Sequence, residues 1–177
     1  MFKKFYPTKW VNSIYKDVDF QKLYDLGYRG IISDIDNTLV EHDADASEEA
    51  VNLYRTLKDI GFKVCFMSNN DEIRVSRFNK DMNTYSIYNA KKPLATSYNK
   101  AMDLMGTNKK NTIFIGDQIF TDILGANNAG LKSILVDPIS KREEIQIVIK
   151  RFFEKIVLFF YKRYKRKQDN SRTINIS

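Results

Sequence analysis

The sequence lacks the features that would cross-link it or carry it through a membrane. It contains a single cysteine, Cys65, so no disulfide framework can form within the chain and a reducing compartment is expected. Its longest wholly apolar run, Ile156 to Tyr161, is far shorter than the ~20 residues that a spanning helix needs. The first residues, MFKKFYPTKW, lack the apolar stretch of a secretory signal peptide. We therefore expect a globular cytoplasmic protein that does not cross a membrane.

The charge of the chain is concentrated in one segment near its end. Between Lys150 and Lys167 eight basic residues stand against one acid, Glu154, so this segment alone accounts for the net charge of +7. The rest of the chain has equal numbers of basic and acidic residues and no net charge. Such an imbalance indicates a localised anionic partner, because a generally basic protein would spread its charge.

Apolar runs alternate with helical patterns from Tyr28 to Pro138, which is typical of a parallel α/β sheet. The five predicted strands are YRGIISDID, KVCFMSNN, YSIYNA, TIFIGD and KSILVDP. Four helices separate them, and Pro93 fits the first turn of the third. The pattern predicts a three-layer sandwich with a five-stranded parallel sheet. We assign residues 1–140 to this domain and its aromatic, basic N-terminal arm, 141–168 to a basic amphipathic helix, and 169–177 to a disordered tail.

Three predicted strands end in polar residues. Asp34 and Asp36 follow the first strand, Ser68 to Asn70 follow the second, and Asp117 follows the fourth. Ligands of parallel sheets bind outside the carboxyl ends of strands, so these side chains should meet. Clustered carboxylates repel one another unless a hard divalent cation lies among them, and Mg²⁺ prefers oxygen ligands. A neutralised carboxylate beside a bound phosphate can attack phosphorus.

The same residues resemble the four motifs of the haloacid-dehalogenase (HAD) superfamily of phosphohydrolases. DIDNTL, residues 34–39, is similar to the first motif, and Ser68 in FMSNN is similar to the second. Lys92 in KKP resembles the third, and GDQIFTD, residues 116–122, resembles the fourth. The motifs occur in the right order, each after a predicted strand. The resemblance implies a HAD-like, Rossmann-type fold.

The resemblance also implies roles for individual side chains. Asp34 would be the nucleophile that takes the phosphoryl group, and Asp36 the general acid and then the general base. Ser68, Asn69 and Lys92 would bind the phosphate together with Asp34.

For the metal, the resemblance implies that Mg²⁺ is held by the Asp34 side chain, the Asp36 carbonyl group and Asp117. Asp122 would act next to the metal, orienting water or Lys92. The neighbouring Lys91 is an alternative to Lys92. His42, the only histidine, is interpreted as a solvated loop residue.

The chain leaves no room for the cap domain that closes many sites of this superfamily. A hairpin and one helix fill the interval from Asp36 to Ser68, and a helix and a short strand fill that from Ser68 to Lys92. An open site cannot exclude water around a small metabolite by itself. We therefore expect a large or surface-presented substrate, unless a neighbouring subunit supplies a lid; the oligomeric state is left open.

Residues from Glu144 onward place apolar side chains on about half of a helix and basic ones on the other side. This helix could lie in an anionic bilayer interface or dock on the core of the protein. The N-terminal arm, MFKKFYPTKW, could likewise lie in a bilayer interface or pack against the protein. The residues assigned to membrane binding are Lys150, Arg151, Lys155, Phe159, Phe160, Lys162, Arg163, Lys165 and Arg166.

Together, these features resemble the YqeG-type branch, subfamily IIIA, which is similar to phosphatidylglycerophosphate phosphatases. This implies a Mg²⁺-dependent phosphatase that acts on a phospholipid head group, peripheral on the inner face of the cell membrane. One alternative is a soluble sugar-phosphate or nucleotide phosphatase. Another is an RNA- or ribosome-associated binding factor, since FFYKRYKRK interleaves aromatic and basic residues.

Overall fold

Six strands form one parallel sheet in the order β1-β6-β5-β2-β3-β4. The computed structural model describes residues 2–140 and 145–174, with side chains for 2–140 and 153–168. The strands are β1 (Lys9–Val11), β2 (Gly30–Ser33), β3 (Lys63–Met67), β4 (Tyr85–Ile87), β5 (Thr112–Gly116) and β6 (Lys132–Val136). The five strands predicted from the sequence are confirmed, and β2 lies between β3 and β5.

The prediction of five strands was wrong by one, because the N-terminal arm supplies β1. This strand pairs with β6, so that Lys9 is opposite Ile134 and Trp10 opposite Leu135. The Trp10 indole N–H donates to Asp137 Oδ1 at 2.8 Å. A three-residue strand with a charged end carries too little alternation to be recognised from sequence. The aromatic residues of the arm pack against the protein in this structure.

Helices cover both faces of the sheet. They are α1 (Ile14–Asp17), α2 (Phe20–Asp25), α3 (Glu48–Ile60), α4 (Glu72–Asn79), α5 (Ala95–Met105), α6 (Leu124–Asn128) and α7 (Ile145–Ile174). A 3₁₀ turn occupies Lys3–Phe5, and a π-helical turn, Ile119–Ile123, leads directly into α6. Ser47 caps α3 by accepting from the Ala50 amide, and Asp71 caps α4 by accepting from the Arg74 amide. Pro93 precedes α5, which begins at Ala95, so its predicted place in the first turn was wrong.

Alternate residues of the buried strands face two different cores. Ile31 and Phe66 belong to the core under α3, whereas the adjacent Ile32 and Cys65 pack with Tyr98 of α5. Because both faces are covered, the central strands read as continuous apolar runs. No cap domain interrupts the fully described residues between Asp36 and Asp117.

Helix α7 docks on the sheet through one side only. Val157 is buried with Ile119, Ile123 and Leu135 in a third core, and Tyr161 is also buried. The helix ends at Ile174, beyond the predicted boundary at 168, and residues 141–144 and 175–177 lie outside the described part. Among the described residues, no helix has both the length and the apolar content of a membrane span.

Candidate active site

The ends of three neighbouring strands bring polar side chains to one edge of the sheet. Asp34 directly follows β2, Ser68 follows β3 and Asp117 follows β5. Asp34 and Ser68 line a cavity of about 300 Å³, and Asp117 lies beside Asp34 without lining the cavity. Its lining consists of Asp34, Asp36, Asn37, His42, Ser68, Asn69, Asn70, Lys92, Gln118 and Thr121.

Lys92, which lines this cavity, links Asp34, which also lines it, to Asp122, which does not. Its Nζ lies 2.5 Å from Asp34 Oδ1 and 2.7 Å from Asp122 Oδ1. All three side chains are buried, whereas Lys91 is exposed. Of the two lysines considered from the sequence, the structure therefore brings Lys92 to the acids. Removing Lys92 would leave two buried carboxylates without their cation, whereas removing one carboxylate leaves Lys92 paired with the other.

Burial and neighbouring charges set the protonation of this pair. Burial raises the pKa of Asp34 to about 6, the ammonium group of Lys92 opposes that rise and the Asp122 carboxylate reinforces it. Burial alone would lower the pKa of Lys92, but the carboxylates of Asp122 and Asp34 outweigh it and raise that pKa. Lys92 therefore stays positively charged beside Asp34.

Asp117 completes a group of acids that fits a divalent cation. One carboxylate oxygen from each of Asp34, Asp117 and Asp122 lies within 4.8 Å of the others. The Thr38 hydroxyl lies 3.1 Å from Asp34 Oδ2 and 3.3 Å from Asp117 Oδ1, so these two carboxylates converge. Three buried carboxylates can carry more negative charge than the single positive charge of Lys92 balances. Oxygen ligands with an excess of negative charge are the kind that Mg²⁺ prefers.

Asp122 has a different environment from the other two acids. Its Oδ1 accepts from Lys92, and its Oδ2 accepts from the Gln118 amide at 3.0 Å. Both oxygens are thus engaged by the protein. Asp34 and Asp117 differ from Asp122 in sharing the Thr38 hydroxyl group, which keeps their carboxylates together, whereas Asp122 is held by an amide of its own loop.

Asp36 also lines the cavity, but α4 fixes its carboxylate. Arg74 Nη2 donates to Asp36 Oδ1 and Asn70 Nδ2 donates to Asp36 Oδ2, each at 2.9 Å. The Asp43 amide donates to Oδ1 at 2.8 Å. The buried Arg74 keeps Nε and Nη1 without a hydrogen-bond partner, and its Nε lies 3.6 Å from Asp43 Oδ1, so its charge serves both Asp36 and Asp43. His42 Nδ1 is 4.0 Å from Asp36 Oδ1, which places this histidine at the cavity.

Ser68 and Asn69 lie on the β3 side of the cavity. The buried Ser68 accepts from the Asn70 amide at 3.0 Å. The Asn69 side chain holds the Lys92 backbone: its Oδ1 accepts from the Lys92 amide at 2.7 Å and its Nδ2 donates to the Lys92 carbonyl group at 3.4 Å. Asn69 thus fixes the loop that delivers the lysine.

The loop from Asp117 to Ile123 is held from three sides. Gly116 is necessary for its position, because a Cβ there would lie 2.5 Å from Asp122 Oδ2. The Tyr98 hydroxyl lies 3.2 Å from the carbonyl oxygens of both Thr121 and Asp122. On the outside, the Ile119 amide donates to Glu154 Oε1 of α7 at 2.7 Å.

Several of these residues were missed by sequence reasoning. Thr38 and Gly116 lie inside the motifs, so their positions were visible although their contacts were not. Glu154 is the only acid within the basic segment, but nothing in the sequence indicates what it would bind. For Arg74 and Tyr98 we find no pattern that could have identified them.

All but one of the described side chains assigned to membrane binding are exposed on α7. Lys155, Lys162, Arg163 and Arg166 are exposed, Lys165 is half-buried, and Phe159 and Phe160 are 65% and 41% exposed. The side chains of Lys150 and Arg151 lie outside the described residues. Phe153 and Ile156 are exposed on the same helix. The helix therefore has both the core contacts and the outward aromatic and basic residues that the sequence offered as alternatives.

Comparison with known proteins gives consistent matches. Residues 89–146 match a family model described as HAD-hydrolase-like. The chain is 36% identical over 165 residues to "Probable phosphatase YqeG" of Bacillus subtilis (strain 168), with 92% of this chain and 95% of that protein covered. It is 26% identical over 161 residues to "Phosphatidylglycerophosphate phosphatase 1, chloroplastic/mitochondrial" of Arabidopsis thaliana, with 85% of this chain covered. The match spans only 45% of the Arabidopsis protein.

Solved structures share the fold at low sequence identity. A cobalt-bound deoxy-D-mannose-octulosonate 8-phosphate phosphatase from Haemophilus influenzae aligns with a TM-score of 0.52 and 16% identity, covering 67% of this chain and 71% of that one. An uncharacterised protein from Listeria monocytogenes serotype 4b aligns with a TM-score of 0.53 and 17% identity, covering 66% of this chain and 84% of that one.

Proposed function

Because this chain belongs to the HAD-like phosphatase family, we propose that it hydrolyses a phosphomonoester with Mg²⁺ by way of a phosphorylated Asp34, and that its substrate is phosphatidylglycerophosphate at a membrane surface. The central supporting observation is the Lys92 ammonium group, bonded to both Asp34 and Asp122 at the wall of an open cavity. This arrangement neutralises and orients a carboxylate at the place where a phosphate can enter.

The proposed reaction has two steps at Asp34. Its carboxylate oxygen attacks phosphorus, the bond from phosphorus to the ester oxygen breaks, and the leaving alkoxide takes a proton from Asp36. A water molecule then attacks the phosphorus of the aspartyl-phosphate and gives a proton to Asp36, the bond from phosphorus to the Asp34 oxygen breaks, and inorganic phosphate leaves. The second step reverses the proton transfer of the first, so one carboxyl group serves as acid and then base. Positioning by Lys92 and Thr38 supplies much of the catalysis, since a carboxylate is a weak nucleophile.

Asp34 and Asp117 would hold the Mg²⁺ ion, together with the Asp36 carbonyl group. The bound ion would supply positive charge that offsets the charge of the phosphoryl oxygens and the nucleophile. Lys92 provides a second, fixed positive charge, and Asp122 keeps it in place.

Two features of the structure and the name of one relative support a lipid substrate. The cavity has no cap domain over it among the described residues, so a head group presented by a surface can enter it from the side of the sheet edge. The outward side of α7 combines exposed Phe159 with exposed Lys162 and Arg166, a combination that suits an anionic bilayer interface. The relative from Arabidopsis is named for the same phospholipid.

A phosphate-release assay with purified protein and Mg²⁺ tests the proposal. The panel comprises phosphatidylglycerophosphate in anionic vesicles, a sugar phosphate, a nucleotide and a phosphopeptide. We expect the vesicle-borne lipid to give the highest kcat/KM. A higher kcat/KM for the sugar phosphate or the nucleotide would indicate a soluble substrate in place of the lipid. If the protein hydrolyses none of the substrates and added RNA displaces it from the vesicles, a binding factor is favoured.

Gly116→Ala should damage catalysis more than stability. The new methyl group would collide with Asp122 and move its carboxylate away from Lys92. A displacement of about 1 Å in such a site can lower turnover roughly 100-fold. The measurement is kcat on a small soluble phosphate ester, alongside the melting temperature. The control is Gly27→Ala, whose φ of 95° strains the backbone but whose surroundings are open; it should lower the melting temperature and retain turnover. Full turnover in Gly116→Ala would contradict the assigned role of Asp122.

Removing three cations from α7 should weaken vesicle binding. Each basic residue near an anionic surface contributes about 1 kcal/mol, so the triple change Lys162→Ala, Arg163→Ala and Arg166→Ala should reduce partitioning by roughly 100-fold. Co-sedimentation with anionic vesicles measures this, and the ratio of lipid to soluble-ester activity should fall with it. The matched control replaces the exposed Lys16, Lys58 and Lys80, which lie outside α7. Equal losses in the two triple variants would indicate a general charge effect and no specific surface.

A further inference from the structure

We propose that Glu154 is a positioning residue: through its bond to the Ile119 amide, α7 fixes the loop that places Asp117 and Asp122 beside Asp34 and Lys92. The inference rests on the proposed metal-dependent function, and it makes α7 part of the catalytic domain as well as a candidate membrane contact. It concerns a residue that touches neither the substrate nor the metal.

The bond itself is buried and short. Glu154 is 4% exposed, and its Oε1 accepts from the Ile119 amide at 2.7 Å. The preceding amide, that of Gln118, donates to Asp122 Oδ2 at 3.0 Å. Two successive amides are thus held by carboxylates, one from within the loop and one from α7.

These amides need partners because a helical segment begins here. The π-helical turn starts at Ile119 and continues into α6, and the first amides of a helix have no acceptor within it. The positive end of the backbone dipoles also favours a carboxylate at this place. A buried carboxylate, in turn, is costly unless it is hydrogen-bonded. Glu154 and the loop therefore stabilise each other in one geometry.

A series of contacts connects the Glu154 bond to the active site. Asp122, held at Oδ2 by the Gln118 amide, binds Lys92 through Oδ1, and Lys92 binds Asp34. Asp117 is the residue before Gln118 in the same loop. Loss of the Glu154 bond should therefore let the two acids move relative to Asp34, and the affinity for Mg²⁺ should fall.

The experiment compares wild type, Glu154→Ala, Glu154→Gln and Tyr161→Ala in the full chain. Mg²⁺ titrations are followed by the rise in melting temperature, which reports metal binding without turnover, and by kcat and KM for a small soluble phosphate ester. Tyr161 is also buried on α7, where it packs on Tyr6, so its change weakens docking without removing the loop bond.

We expect Glu154→Ala to raise the Mg²⁺ midpoint roughly tenfold, as for one lost hydrogen bond to a charged group, and to lower kcat more than it raises KM. The glutamine variant keeps an oxygen acceptor and should remain within about threefold of wild type. Tyr161→Ala should lower the melting temperature and keep the Mg²⁺ midpoint.

Two results would overturn the inference. If wild type and Glu154→Ala respond equally to Mg²⁺, Glu154 does not position the loop, and the proposed function stands. If wild type itself shows no response to Mg²⁺, the metal is lost from the proposed function and this inference with it. If the alanine variant does not fold, the bond is tested by amide hydrogen exchange in the wild-type protein. The Ile119 amide should exchange as slowly as the amides of β5. Rapid exchange at Ile119 would contradict the Glu154 bond and with it the inference.

Discussion

Asp34→Asn should abolish phosphate release, lowering kcat by about four to six orders of magnitude, because the proposed function makes Asp34 the nucleophile and loss of a catalytic nucleophile has an effect of this size. The amide has nearly the same shape but cannot attack phosphorus as a carboxylate does. It also removes the charge that Lys92 neutralises at 2.5 Å. The measurement is single-turnover phosphate release with Mg²⁺ present, on both the soluble ester and the vesicle-borne lipid.

The stability of Asp34→Asn separates a chemical effect from a folding defect. Burial raises the pKa of Asp34 to about 6, so at neutral pH the ionised carboxylate costs the folded protein free energy. Lys92 keeps its contact with Asp122 in the variant. We therefore expect the melting temperature without metal to hold or rise. Retained turnover in this variant would remove Asp34 from the reaction.

Removal of residues 141–177 should eliminate activity on the soluble ester and on the lipid alike. The deletion takes away buried Val157 and Tyr161, each worth about 1.5–3 kcal/mol by its apolar burial, together with the Glu154 bond. For a protein of this size, about 1 kcal/mol shifts the melting temperature by 2–4 °C, so a fall of more than about 10 °C is expected. Thermal unfolding and the two activity assays test this.

The triple alanine variant of α7 is the control for the deletion. It changes exposed cations, one of which, Lys162, lies 4.7 Å from the centre of the Trp10 ring, so its melting temperature should fall by no more than a few degrees while vesicle binding falls. A truncated protein that hydrolyses the soluble ester at the wild-type rate would contradict the docking of α7. It would support the simpler interpretation from sequence, in which the basic helix is only a surface anchor.

The sequence predicted the central sheet well because its strands are buried on both faces. Runs such as those of β2 and β5 are apolar throughout and end in polar residues, so both the strands and their functional edge were visible. The sixth strand, β1, was missed because its pairing with β6 joins segments far apart in the chain. Pairing partners at that separation are set by tertiary packing and leave no local pattern.

The residues of the candidate site also fall into two groups, those that the sequence identified and those that it did not. Asp34, Lys92, Asp117 and Asp122 were identifiable because each lies in a motif at the end of a strand. The partners that orient them come from elements whose local pattern has another explanation: Arg74 reads as part of the polar face of α4, and Glu154 as an ordinary charge on a basic helix. Periodicity placed the apolar residues of α7 on one side, but it could not divide them between the core and solvent.

A crystal structure with Mg²⁺ and beryllium fluoride, a mimic of the phosphoryl group, tests the central claim most directly. The account predicts beryllium attached to an Asp34 oxygen, the ion bound by Asp34 and Asp117, and Lys92 in contact with a fluoride. An ion bound elsewhere, with Asp34 and Asp117 turned apart and only solvent between them, would contradict it.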